Sequence, residues 1–182
     1  MSIREAVESA GDYLTQHPDE ARYRDSPARA RLVDGLVVEV EGADGARLRT
    51  DMPRGIGGTG SAPSPGWLLR AAVASCVASL VAIRAAAIRV PLGGIEVEVD
   101  SESDDRGILG LDDAIPAGPL NARIVISLHA PGRSRADLHD LARWAVDHCP
   151  VSEMLGRVVP VEVDIQLSPD PDPHPGRRLP PR

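Results

Sequence analysis

The chain has two cysteines, and they are the residues whose chemistry most needs an explanation. Cys149 stands directly before a proline in the segment "HCPVSEML", and Cys76 lies 73 positions upstream in the alanine-rich segment "AAVASCVASL". A reducing compartment disfavours a persistent disulfide, which leaves inert buried thiols, metal ligands or redox-active thiols. The sequence has no CxxC pair and no close Cys/His cluster, so we expect no metal site.

The position of Cys149 favours a thiolate. Pro150 suits the first turn of a short helix, "PVSEML", and therefore places Cys149 at its N-cap. The unpaired backbone N–H groups and the positive end of the helix dipole stabilise a thiolate there, and a protonated His148 would add to the effect. A cysteine packed inertly at a helix junction fits the same residues, so both interpretations stay open.

Cys76 lies within a long predicted helix that runs from Pro65 to Arg89 and is stopped by Pro91. Apolar and small residues recur in it at three- and four-residue spacing and predict a buried stripe of Leu69, Ala72, Val73, Cys76, Ser79, Leu80 and Ile83. Burial raises the pKa of a thiol, so a reactive Cys76 needs a cation nearby. The segment before the helix offers three candidates, Arg47, Arg49 and Arg54, each of which is also compatible with an ordinary surface charge.

The elements that must position these thiols can be read from periodicity and turn residues. Residues 2–16 predict an amphipathic helix, the segment around "GADG" predicts an antiparallel hairpin, and "PRGIGGTGSAPSPG" predicts a loop before the long helix. After that helix, "GGIEVEVDSES" and "NARIVISLHAP" predict strands, Ser134 caps a helix that reaches Cys149, and "VVPVEVDIQL" predicts a last strand. This order predicts an α+β fold in which the long helix is buried against a sheet or a second helix.

Composition predicts one globular domain with flanking segments. We divide the chain into an N-terminal helix and linker at 1–27, a domain at 28–167, and a disordered tail at 168–182 with six prolines in 15 residues. Only 2% of the residues are aromatic and the net charge is −7, which excludes base-stacking and phosphate-binding surfaces for nucleic acid. Charges interrupt both the N-terminus and the long apolar run, so we expect a cytoplasmic protein with no membrane segment.

Several of these segments together resemble the OsmC/Ohr family of osmotically induced and organic-hydroperoxide-resistance proteins. The similar segments are "GGTGSAPSPGWLL" entering the long helix, "AAVASC" inside it, "GGIEVEVDSE" after it, and "HCPVSEML" followed by "VEVDIQL". The resemblance covers about residues 30–167. It implies an OsmC-like α+β fold in which a long central helix packs against antiparallel sheets and two chains intertwine into a homodimer.

The resemblance also implies a function in the antioxidant stress response. The peroxidase members of the family reduce organic or fatty-acid hydroperoxides without a cofactor or metal. Their upstream thiolate, matched by Cys76, attacks the peroxide and becomes a sulfenic acid, and their downstream thiol, matched by Cys149, condenses with it to a disulfide. A small dithiol or lipoyl carrier then reduces that disulfide.

One part of the family pattern differs in this chain. In the peroxidases an arginine before the helix lowers the pKa of the thiol, and a glutamate at the start of the helix orients that arginine. Arg54 is the best positional match for the arginine, but Gly66 and Trp67 occupy the helix-entry positions. This difference supports an alternative, a non-catalytic protein that binds or senses a lipid-like or electrophilic ligand. A third reading is a structural dimer with inert cysteines.

Overall fold

A computed structural model describes residues 1–157 and 159–166 of the chain. Its elements, in chain order, are α1 (Ile3–Gln16), β1 (Arg29–Asp34), β2 (Val37–Glu41), β3 (Arg47–Thr50), α2 (Pro65–Ala87), β4 (Gly94–Glu102), α3 (Asp105–Ile108), β5 (Asn121–His129), α4 (Arg135–Asp147) and α5 (Pro150–Gly156). The strands form two antiparallel sheets, β1-β2-β3 and β4-β5. The predicted α+β class is therefore confirmed.

The first sheet has one apolar face and one charged face. Its register pairs Leu32 with Val38 and Val40 with Leu48, so these side chains share a face. On the other face Glu39 pairs with both Arg31 and Arg49. The apolar face is largely open in the single chain, because Leu32 is 62% exposed and Leu48 is 43% exposed.

The predicted hairpin around "GADG" is the β2–β3 part of this sheet. A second turn at Gly35 adds β1, which the sequence reading did not separate from β2. Gly35 has a φ of +52°, a conformation that favours glycine, and this allows the tight return from β1 to β2.

The second sheet turns its apolar face towards the long helix. Val97 of β4 pairs with Ile126 of β5, and Val99 pairs with Ile124. All four side chains pack against a buried cluster that contains Val73 and Val77 of α2. The opposite face is polar, with Arg123 donating to the Asp100 carboxylate at 2.7 Å. Both strands lie where the sequence predicted them.

Helix α2 is the centre of the fold. Ser64 caps it by accepting a hydrogen bond from the Trp67 N–H, and Pro65 occupies its first position. By length and composition alone it could span a membrane, with a mean hydropathy of 1.8. Here β4, α1, α4 and α5 pack against it, so it serves as a core helix.

The buried face of α2 differs from the predicted stripe. The residues that are buried form one row at four-residue spacing: Val73, Val77, Val81 and Ala85. Of the predicted stripe only Val73 is in this row, while Ala72 and Ser79 are exposed. The cause is the position of the neighbouring elements, because β4 and α4 pack on the row that contains the valines, and even the larger Leu69 of the predicted stripe is 37% exposed. Cys76 lies beside this row and is partly buried.

The N-terminal helix is confirmed as α1, and it packs against α2. Ser2 and Glu5 form a capping box at its start. It buries no residue completely, so it adds a cover to α2 rather than a second core.

The predicted last strand is wrong for residues 159–166, which lie in no helix or strand. Its apolar side chains face solvent, since Val161 is 77% exposed and Ile165 is 75% exposed. Alternation alone cannot make a strand, because the backbone groups need a neighbouring strand for their hydrogen bonds. The predicted tail at 168–182 lies outside the described residues.

Candidate active site

The two cysteines, 73 positions apart in sequence, meet at the contact between α2 and α5. Cys149 is completely buried together with Val73 and Val77, and the partly buried Cys76 packs against the same cluster. The two side chains lie close enough for each thiol to shift the pKa of the other. The sequence interpretation placed Cys149 at a helix start and Cys76 inside a long helix, and the fold brings these two positions together.

The start of α5 supplies hydrogen-bond donors to the Cys149 sulfur. Cys149 is the N-cap, as predicted, and its Sγ accepts a hydrogen bond from the Ser152 N–H at 3.4 Å. The Ser152 hydroxyl hydrogen-bonds to the carbonyl oxygens of Val146 and Cys149, at 3.1 and 3.2 Å. Ser152 therefore fixes the end of α4 relative to the start of α5, which sets the position of the thiol.

The environment shifts the pKa values of the two thiols in opposite directions. Burial raises the pKa of Cys76 above its ordinary value, and the hydrogen bond to Cys149 and its negative charge raise it further. Burial also raises the pKa of Cys149, but hydrogen bonds from Ser152, Cys76 and the Val151 N–H outweigh it, and the net direction is down. The surroundings therefore favour the thiol form of Cys76 and the thiolate form of Cys149.

The predicted cation does not reach the thiols in the single chain. Arg54 is exposed in a short turn, and its Nε donates to the Thr59 carbonyl oxygen at 3.2 Å. The groups that shift the pKa of Cys76 are Cys149, the Val151 N–H and burial itself, with no contribution from Arg54. The two other candidates pair with glutamates on the first sheet, Arg49 with Glu39 and Arg47 with Glu41.

Asp51, near the entry to α2, is a buried carboxylate that was not predicted from the sequence. Its side chain is 1% exposed and accepts five hydrogen bonds. The donors are the Met52 N–H at 2.7 Å and the N–H and hydroxyl groups of Thr59 and Ser61 at 2.6–3.1 Å. These bonds, those from Thr59 first, hold the pKa of Asp51 far below its usual range. A carboxylate followed by the loop "GGTGS" was the available signal, because Thr and Ser supply such donors.

The Asp51 carboxylate orders the loop that enters α2. Gly58 lies so close to Met52 that a Cβ would overlap the Met52 carbonyl oxygen. No side chain fits at this position unless the loop moves, so the loop geometry depends on this glycine. Beyond the loop, Gly66 and Trp67 begin α2, and Trp67 is 50% exposed.

An apolar cavity of about 530 Å³ lies beside the cluster that holds the thiols, although neither cysteine lines it. Its walls include Val73, Val99, Ile124 and Val146, and Ser152, which donates to the Cys149 sulfur, lines one side. Charged side chains stand at its rim, among them Glu153 and Arg157. The cavity has the size and lining of a site for an apolar organic molecule. Within residues 1–157 and 159–166, no group of three His, Cys, Asp or Glu side chains could hold a metal ion.

Comparison with known proteins gives one family. The model of the family described as OsmC-like protein matches residues 58–164, a range that includes both cysteines. No curated protein matches the chain in sequence.

Solved structures of this family share the fold. An OsmC-like protein from Mycoplasma pneumoniae superposes with a TM-score of 0.63 and 14% identity, over 75% of this chain and 91% of the other. An organic hydroperoxide resistance protein OsmC from Legionella pneumophila gives 0.53 and 24%, over 74% and 90%. One from Elizabethkingia anophelis gives 0.52 and 18%, over 72% and 88%. At these identities the similarity establishes the fold alone.

Proposed function

Because the chain belongs to the OsmC-like protein family, we propose that it is a thiol peroxidase that reduces organic hydroperoxides with two cysteines. The observation that carries the proposal is the contact of Cys76 with Cys149 in one apolar cluster beside an apolar cavity. Two cysteines that pack in one cluster are placed to form a disulfide with each other. Two solved structures with the same fold are organic hydroperoxide resistance proteins by name, which supports the same reaction class.

The difference in exposure favours Cys76 for the first step. It is partly exposed whereas Cys149 is completely buried, so an entering peroxide meets Cys76 first. In its thiolate form, which the lowered pKa favours, Cys149 accepts the Cys76 proton as the attack proceeds, so that Cys76 reacts as a thiolate.

The proposed reaction transfers two electrons from the pair of thiols to the peroxide. The Cys76 sulfur forms a bond to the distal peroxide oxygen and the O–O bond breaks. The leaving alkoxide takes from Cys149 the proton that Cys76 gave up, which yields the alcohol and leaves Cys149 as a thiolate. Cys76 is now a sulfenic acid, oxidised by two electrons. The Cys149 sulfur then attacks the Cys76 sulfur, hydroxide leaves, and a disulfide forms. An external dithiol or lipoyl carrier reduces this disulfide by exchange and restores both thiols.

A second copy of the chain is the proposed partner that covers the open apolar surface. The first sheet exposes Leu32 and Leu48, and the segment 159–166 exposes Val161, Val163 and Ile165. Apolar surface of this extent is typical of an interface between subunits. We propose an intertwined homodimer, in a cytoplasmic location, where Arg54 of one chain is free to approach a thiol that it does not contact in the single chain.

The alternative function is a binding or sensing protein without turnover. The observation in its favour is the helix entry, where Gly66 and Trp67 provide no carboxylate to hold an arginine. Such a protein retains the fold, the thiols and the apolar cavity, and it binds a lipid-like or electrophilic ligand there.

Stopped-flow consumption of cumene hydroperoxide, with dihydrolipoamide as reductant, tests the main proposal. We expect turnover by the wild-type protein and none by Cys76→Ser. Equal, slow consumption of the hydroperoxide by both proteins would reject the proposed peroxidase activity. Native mass spectrometry then decides for the alternative if it recovers a bound lipid-like molecule.

A further inference from the structure

A second cavity, of about 430 Å³, lies at the N-terminal end of α2, where the Asp51 loop joins the helix. Its walls are mainly apolar and include Met52, Pro53, Ala62 and Pro63 from the loop. Trp67 and Arg70, both from the first turns of α2, complete it. The thiol reaction uses neither of these two side chains, so the cavity has no assigned role.

Arg70 is the group in this cavity that most needs a partner. It is partly buried, and its Nη1 donates to the Ser101 hydroxyl at 3.2 Å. It forms no ion pair with any carboxylate of the described residues. A guanidinium has five N–H donors, and a carboxylate is the acceptor that satisfies two of them at once.

The walls around Arg70 are held in place before any ligand binds. The Asp51 carboxylate accepts hydrogen bonds from the Met52 N–H at one end of the loop and from the Thr59 and Ser61 N–H groups at the other. The Ser64 cap fixes the first turn that carries Trp67. Because these walls are already ordered, little conformational entropy of the protein is lost when a ligand binds. This favours the binding of a small ligand, which makes few contacts.

We propose that this helix-entry cavity binds a small organic carboxylate, with the carboxylate group on Arg70 and an apolar or aromatic body against Trp67. The Asp51 carboxylate in the wall repels anions more strongly as their charge rises, so a monoanion is preferred to a dianionic phosphate. Arg70 lies six residues before Cys76, about 9 Å along the helix axis, so the bound acid and the thiols occupy different parts of α2. Binding in this cavity is separate from the proposed peroxidase reaction, because it requires no turnover at the thiols.

Calorimetric titration of the full chain with 4-phenylbutyrate, and with 4-phenylbutanamide as its uncharged counterpart, tests the site. We expect the acid to bind more tightly than the amide in the wild-type protein. Arg70→Gln should weaken binding of the acid about tenfold or more and leave binding of the amide unchanged. Arg84→Gln, which changes the other arginine of α2, is the matched control and should leave both unchanged.

A measurement on the unmodified protein covers the case in which Arg70→Gln fails to fold. The chain has two tryptophans, so the indole N–H signals of Trp67 and Trp144 are readily distinguished by NMR. The acid should shift the Trp67 signal and leave that of Trp144 in place. The proposal is overturned if the acid shows no saturable binding, if it shifts Trp144 instead, or if a folded Arg70→Gln binds it as the wild type does. Binding by a Cys76→Ser, Cys149→Ser double variant keeps this result separate from that of the peroxidase assay.

Discussion

Cys76 of α2 and the buried Cys149 at the start of α5 pack in one apolar cluster, where each thiol shifts the pKa of the other. This contact makes the two groups titrate differently, because burial and the neighbouring Cys149 raise the pKa of Cys76. The buried Cys149 has backbone and side-chain donors of α5 around it. The order of their reactions then depends on which sulfur the peroxide can reach.

Trapping the sulfenic acid shows which cysteine reacts first. In Cys149→Ser, cumene hydroperoxide should convert Cys76 to a sulfenic acid that no thiol can resolve, and dimedone labels it. In Cys76→Ser, Cys149 should stay unlabelled because it is completely buried. Peptide mass spectrometry locates the label. Labelling of Cys149 in Cys76→Ser, with none on Cys76 in Cys149→Ser, would reverse the two roles and leave the peroxidase itself intact.

The donors around Cys149 predict how its titration responds to substitution. Its pKa lies below the ordinary 9.0, against the effect of burial, because Ser152 and Cys76 hydrogen-bond to the sulfur. Ser152→Ala removes the hydroxyl that holds the start of α5 against the end of α4, which loosens the bond from the Ser152 N–H to the sulfur and should raise this pKa. Cys76→Ala should raise it by less. Ultraviolet absorbance of the thiolate against pH measures both shifts. Ser79→Ala, on the exposed side of α2, is the control, and a pKa that is unchanged in Ser152→Ala would contradict the assignment.

The elements around the site could be predicted because their signals are local. Pro65 and Pro150 mark the starts of α2 and α5, and alternation marks β4 and β5, so the positions of both cysteines in the fold followed. The row that α2 buries could not be predicted in the same way. Val73 and Val77 are selected by the surfaces of β4 and α4, which lie far away in sequence.

Three other features depended on partners that the sequence does not indicate. The strand predicted at the C-terminal end needs a neighbour to pair with, and in the single chain residues 159–166 have none. Arg54 has the right type and position for the cation, but its Nε bonds to Thr59 within its own loop. The role of Asp51 becomes visible only in the fold, which surrounds its carboxylate with five donors.

The open face of the first sheet predicts the oligomeric state. We expect a dimer by sedimentation velocity, because Leu32 and Leu48 otherwise remain exposed. Leu32→Glu should produce monomers, since it places a charge within the proposed interface. Arg29→Gln changes the neighbouring charged face and should leave the dimer intact. A monomeric wild-type protein, or a Leu32→Glu variant that still dimerises, would contradict the prediction.

Asp51 predicts a dependence of stability on pH. Its carboxylate is almost completely buried, and Asp51→Asn replaces one acceptor oxygen with an NH₂ group that faces the N–H and hydroxyl donors of Thr59 and Ser61. At neutral pH the variant should therefore melt about 5 °C or more below the wild type. Ser26→Ala, in an exposed linker, is the control and should melt with the wild type.

The sign of the pH effect follows from the lowered pKa of Asp51. A carboxyl group with a lower pKa in the folded state than its ordinary 3.8 stabilises the protein fully above that value, and the contribution is lost as the pH falls below it. The difference in melting temperature between wild type and Asp51→Asn should thus be constant from neutral pH to about pH 5 and should shrink in more acidic buffer. Thermal melts followed by circular dichroism across this range measure it. A gap that widens towards acid would mean that the loop does not depend on the ionised carboxylate.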